Sequence, residues 1–146
     1  MKLHLLIGAV ALAMVGAEAM AQCVTETRVS NQGQLNNLLN GNTVCAARGA
    51  DKWQEQHRAG GQLWDYKRGA GDLIDPTRQV GTWAITGTEN DRTVTHTYNQ
   101  FGTTTLTYEF QVWNTGGDLY NFCGVGGASD VIGATIQTGF LAPCPP

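Results

Sequence analysis

The chain has 146 residues and a mass of 15.6 kDa, enough for one domain. Charged residues make up only 14% against a usual figure of about 25%, and the formal charge is −3. That balance excludes a basic surface for nucleic acid and a polybasic approach to an anionic membrane.

The N-terminus reads as a targeting segment. Lys2 precedes an apolar run at 5–17 (LLIGAVALAMVGA), and Ala19-Met20-Ala21 is a small-x-small cleavage site. This layout predicts a signal peptide over residues 1–21, because the apolar run is too short to span a membrane. A lipoprotein motif wants a small residue directly before its cysteine, and Gln22 before Cys23 is not one. The expected mature chain, 22–146, is one exported β-barrel domain, periplasmic or extracellular, with no membrane insertion after cleavage. It keeps all four cysteines, Cys23, Cys45, Cys123 and Cys144, and an even count in an oxidising compartment predicts two disulfides. Cys45 and Cys123 sit in strand-like contexts while Cys23 and Cys144 lie near the mature ends. The preferred pairing is therefore Cys45–Cys123 in the body and Cys23–Cys144 across the termini.

Residues 30–40 (SNQGQLNNLLN) predict a short helix, capped by Ser30 or Asn31, with Leu35, Leu38 and Leu39 on one face and Gly41 as its stop. Beyond it the period switches to two. Strand-like runs fall at about 43–48, 52–58, 62–68, 80–87, 92–99, 103–113, 118–125 and 130–137, separated by Gly, Asn and Asp turns. The Gly/Pro/Asp-rich stretch 69–79 is too long for a tight hairpin and reads as a candidate binding loop. Alternation selects an inner face of Trp83 and Ile85, then Val94, His96 and Tyr98, then Leu106, Tyr108, Phe110 and Val112. The opposite face is rich in threonine. Such a pattern suits a sheet curled on itself, so the predicted fold is all-β, a single antiparallel barrel of about eight strands after a short helix. A helix, a turn into a strand and then Gly81-Thr82-Trp83 resemble small secreted calycin- or lipocalin-like barrels. In those proteins a Gly-x-Trp strand plugs one barrel end, here placed on about the fourth strand rather than the first. The resemblance implies an end-capped calyx able to hold a small ligand, and it brings no catalytic residues.

Candidate site residues concentrate in the hairpin 51–68. Trp53, Glu55 and His57 share one face of their strand, and Trp64, Tyr66 and Arg68 share one on the next, with Asp65 and Lys67 on the alternate face. A regular hairpin could present two indoles, a phenol, a carboxylate and an imidazole together, a mixture suited to polar ring compounds. The plainer alternative is a hairpin stabilised by cross-strand pairs, with one Trp in the core. His96, between Val94 and Tyr98 on the apolar face, is either a satisfied core histidine or a hydrogen-bonding group at the bottom of a cavity. Trp83 reads as core. Trp113, on the threonine side beside a turn, reads as an exposed contact. Glu55 and His57 could begin a metal site or a general-base pair. His96 is the only other histidine beyond the leader, and no nucleophile motif is present, so no metal, cofactor or catalytic residue is expected. Gly124, Gly126 and Gly127 lack the lysine and helix of a phosphate loop. The reading that results is an exported binding protein holding a small apolar or aromatic ligand through Trp53, Glu55, His57, Trp64, Tyr66 and His96. The alternatives are an interaction or inhibitor module that uses residues 51–75 against another exported protein, and last a small hydrolase.

Overall fold

The computed structural model describes residues 23, 27–48, 51–66, 77–99, 104–141 and 143–144. The expected signal peptide, Lys67, Arg68 and most of the loop 69–79 lie outside the described residues. Among those described, β1 (Thr27–Val29) leads into helix α1 (Gln32–Leu39). The strands β2 (Asn42–Arg48), β3 (Asp51–Arg58), β4 (Gln62–Asp65) and β5 (Arg78–Thr86) follow. Then come β6 (Thr93–Asn99), β7 (Thr105–Gly116), β8 (Leu119–Val125) and β9 (Val131–Thr138). From β2 to β9 each strand pairs antiparallel with the next, and β2 pairs back with β9. The circuit is a closed eight-stranded barrel, as the alternation predicts, and closure leaves no continuous open edge. The short β1, which has no counterpart among the predicted runs, lies beside β7 with Arg28 opposite Trp113 and Val29 opposite Val112.

The inward rows follow from strand parity. Val94, His96 and Tyr98 of β6 register with Ile85, Trp83 and Gly81 of β5 and with Phe110, Tyr108 and Leu106 of β7. The inner face is therefore the expected one. Gly81 lies where strands crowd: a Cβ there would fall 1.9 Å from the Thr97 carbonyl oxygen, so only glycine fits. Outside, the threonines hydrogen-bond to one another, Thr86 to Thr93 and Thr95, with Thr93 donating to Glu109.

Helix α1 closes one end. Asn31 is the cap, its side chain accepting from the Gly33 and Gln34 amides, and Gly41 turns the chain into β2 at φ 85°. Leu35 and Leu39 are fully buried in the core formed by Val44, Leu63, Trp83, Val94, Phe110, Val112, Phe122 and Ala134. Trp83 is 7% exposed, and its indole N–H donates to the Arg58 carbonyl. This end of the barrel is full.

The disulfides correct the expected pairing: they are Cys23–Cys123 and Cys45–Cys144. The reason is strand order. Cys45 on β2 and Cys123 on β8 both face outward, but β9 lies between them. Two strand spacings alone put them at least about 10 Å apart, and Cys123 lies further along β8 than Leu119, the residue level with Cys45 through Thr135, well beyond the ~7 Å that a disulfide tolerates. Each instead ties one terminal segment to the outer wall. At the C-terminal side the Gln56 amide donates to the Leu141 carbonyl, the Leu141 amide donates to Thr43, and the Cys144 amide donates to Gln54. Thr43, Gln54 and Gln56 are consequently buried although they point away from the core. At the other end of the chain Asn121 donates to the Cys23 carbonyl. Two disulfides point to an oxidising, exported location. Among the described residues no helix is long and apolar enough to cross a membrane.

Candidate functional site

The 3-10 turn Ala59–Gly61 joins β3 to β4 and sets the register of the hairpin: Glu55 pairs with Asp65, Gln56 with Trp64 and His57 with Leu63. Trp53, Glu55 and His57 therefore share the inner face with Leu63 and Asp65, while Trp64 falls on the outer one. The composite face of two indoles and a phenol does not form. Trp64 lies outside against Arg58, whose guanidinium is 3.9 Å from the Trp64 ring centroid and 4.7 Å from that of Phe140. Tyr66 is buried, its amide bonded to the Gln54 carbonyl. Trp113 is also not the exposed contact expected of it: it is half-buried, with Arg28 of β1 alongside.

Three of the expected residues, Glu55, His57 and His96, do meet inside the barrel, joined by Tyr98. His57 and His96 face each other Nε2 to Nε2 at 3.0 Å, both buried. His96 Nδ1 lies 3.4 Å from a Glu55 carboxylate oxygen and 3.4 Å from the Tyr98 hydroxyl, which donates to Glu55 in a short hydrogen bond. Glu55 accepts from Tyr98, and two neutral imidazoles facing each other share one proton between their Nε2 atoms, one ring donating and the other accepting. His57 Nδ1 has no hydrogen bond of normal geometry. Burial holds both imidazoles neutral. His57 is well below its ordinary value through desolvation and the neighbouring His96, opposed weakly by the Glu55 backbone, and His96 is lowered to about 4 by desolvation. The Tyr98 phenol is pushed far up by burial and then by Glu55, with Asp65 and Tyr108 adding to the effect, so it stays a donor.

The row ends in a more open region. Glu55 has 19% of its side chain exposed, and Trp53, Tyr98 and Tyr108 are half-buried. Trp53 also lines a cleft of about 610 Å³ together with Ala47 and the 124–132 segment. No family model matches the chain, and neither a curated protein nor a solved structure does. The expected resemblance to calycin-like barrels finds no support in these comparisons; what the structure shows is a closed eight-stranded barrel with a helix at one end.

Chemically, the interior offers a hydrogen-bonded carboxylate between aromatic rings, backed by neutral imidazoles. Among the described residues no three His, Cys, Asp or Glu side chains are arranged to hold a metal ion. Sequence reasoning missed Asp65 and Tyr98 as site members. The signal for Tyr98 was its place on the His96 face, and for Asp65 it was the hairpin register, which the turn length decides.

Proposed function

We propose that the protein is an exported, periplasmic or extracellular, small binding protein that holds a small aromatic ligand at the open end of its barrel. One observation carries the reading. The inward row Trp53–Glu55, with Tyr98 donating to the carboxylate, combines ring surface with a fixed acceptor and remains partly accessible inside an otherwise packed barrel. Binding sites for small molecules pair apolar and aromatic walls with a few oriented polar groups, as this row does. His57 and His96 orient Glu55 from below, being too deeply buried to touch a ligand themselves. Trp64 is engaged by Arg58 on the outer wall, so it adds nothing to this site. An interaction module built on 51–75 has less support, since Trp64 and Tyr66 are held in intramolecular packing.

The test is calorimetric titration with indole, phenol and their amine and carboxylate derivatives. Wild type should bind at least one of these ring compounds. Trp53→Ala and Glu55→Gln should each weaken that binding about tenfold or more while the near-UV circular dichroism of the fold is retained. Unchanged affinity in both variants removes the proposal.

A further inference from the structure

The ladder between β2 and β9 stops early. Its pairs run from Asn42–Thr138 to Cys45–Thr135, although both strands continue, β2 to Arg48 and β9 back to Val131. The cause lies in β9. Gly133 has φ 68°, its amide donates to the Asn121 side chain at 2.9 Å, and the β8–β9 register slips between Tyr120 and Phe122. Beyond the bulge Val131 and Ile132 pair with no residue of β2, so the barrel wall is unladdered there. The cleft of about 610 Å³ lies at that stretch, a volume within the usual range for small-molecule sites. The Trp53 ring stands on one side. On the other the turn brings Gly126 and Gly127, where a side chain would meet nothing within 4 Å, so the wall there is bare backbone. Asp130 is the one ionisable side chain among the described lining residues, and it keeps its place by accepting from the Gly124 amide at 2.8 Å. Lys52, opposite Ala47 in register, is exposed and lies on the opposite face of β3 from Trp53.

Resting on the proposed function, we infer that the ligand's ring, seated on Trp53, reaches from the open end into this lateral cleft, and that the cleft selects a flat aromatic ring that donates hydrogen bonds, such as a ring amine, over one that carries an anion. The ring stacks on Trp53 against the glycine wall, and its donor reaches the Asp130 carboxylate. An anionic ring would meet that carboxylate with nothing on the described walls to neutralise it. A donor that is also charged adds cation–π attraction to Trp53.

Three probes sharing one ring decide it: tryptamine, indole and indole-3-acetate, titrated by calorimetry and mapped on backbone amides by NMR. In wild type, tryptamine should bind at least about tenfold tighter than indole-3-acetate, with the largest shifts at Gly126, Gly127 and the Trp53 indole. Asp130→Asn keeps the acceptor for Gly124 and should close that gap. Ala47→Trp, an exposed position at the cleft, should weaken all three probes without moving the urea midpoint. Equal affinity for amine and acid in wild type overturns the selectivity. Binding that survives Ala47→Trp, with shifts at Tyr98 and Tyr108 instead, overturns the cleft while leaving the proposed function standing. Failure of all three probes to bind overturns the cleft, and failure of the phenol series as well removes the proposed function.

Discussion

At the helix end of the barrel the inward rows carry Leu63, Trp83, Val94, Phe110 and Phe122, packed onto Leu35 and Leu39. At the other end the same rows carry Trp53, Glu55, Tyr98 and Tyr108, all half-buried, with Tyr98 donating to Glu55. One alternation pattern produces both ends, so inward position alone does not make a residue core. The difference is what closes the barrel. Where α1 inserts two leucines, apolar side chains fill the space. Toward the other end, polar groups face the interior and the ladder between β2 and β9 stops early. His57 and His96 mark the boundary, edge-on to Trp83 at 5.2 Å and tilted against Phe110 at 5.5 Å respectively.

Two tryptophans on this one inner face give the sharpest test of that contrast. Trp83→Ala should cost about 3–5 kcal/mol, the range for deleting a buried aromatic side chain. Trp53→Ala, beside a cleft, should cost roughly 1–2 kcal/mol. Urea denaturation of both variants compares them directly, and equal losses would mean that the two ends are packed alike.

The outer wall supplies the next largest effect. Cys45→Ala with Cys144→Ala frees the C-terminal segment from β2 and should cost about 2–4 kcal/mol, since the bond closes a loop of sequence separation 99. Hydrogen exchange should quicken at Leu141 and Cys144, whose amides donate to side chains of β2 and β3, and little at Trp83 in the packed end. Loss of protection spread evenly through the barrel would contradict a local strap.

The remaining effect is a slope rather than a step. Both buried histidines have folded-state values below the unfolded 6.5, so their neutral forms favour the native state above that pH. Stability should be flat near pH 7–8 and fall as the pH drops from about 6.5 toward 4, by up to about 1.4 kcal/mol per pH unit for each histidine that must charge on unfolding. Imidazole NMR should show neither ring titrating between pH 8 and 5. A midpoint near 6.5 for either would place it in contact with water.

Much of this was legible from residue order. The i, i+3, i+4 leucines specified α1, and the period of two placed Trp83, His96, Tyr98 and Phe110 inside, because burial on one face leaves a local signature. Within the hairpin the site was legible on one strand only. Trp53, Glu55 and His57 share a face by parity within β3, but which face of β4 joins them depends on the turn at 59–61, and that register put Asp65 inside and Trp64 outside. Cysteine pairing needed the strand order, in which β9 separates β2 from β8. The burial of Gln54 and Gln56 needed the tail that lies over them, and neither signal is local.

The two covalent links overlap along the chain rather than sitting one inside the other, Cys23 to Cys123 and Cys45 to Cys144. A protease that cuts once anywhere between Cys23 and Cys144 therefore never releases a fragment: at least one link spans the cut. Between Cys45 and Cys123, a stretch that includes the long connection from β4 to β5, both do. A nicked molecule stays a single covalent particle with every barrel strand still attached.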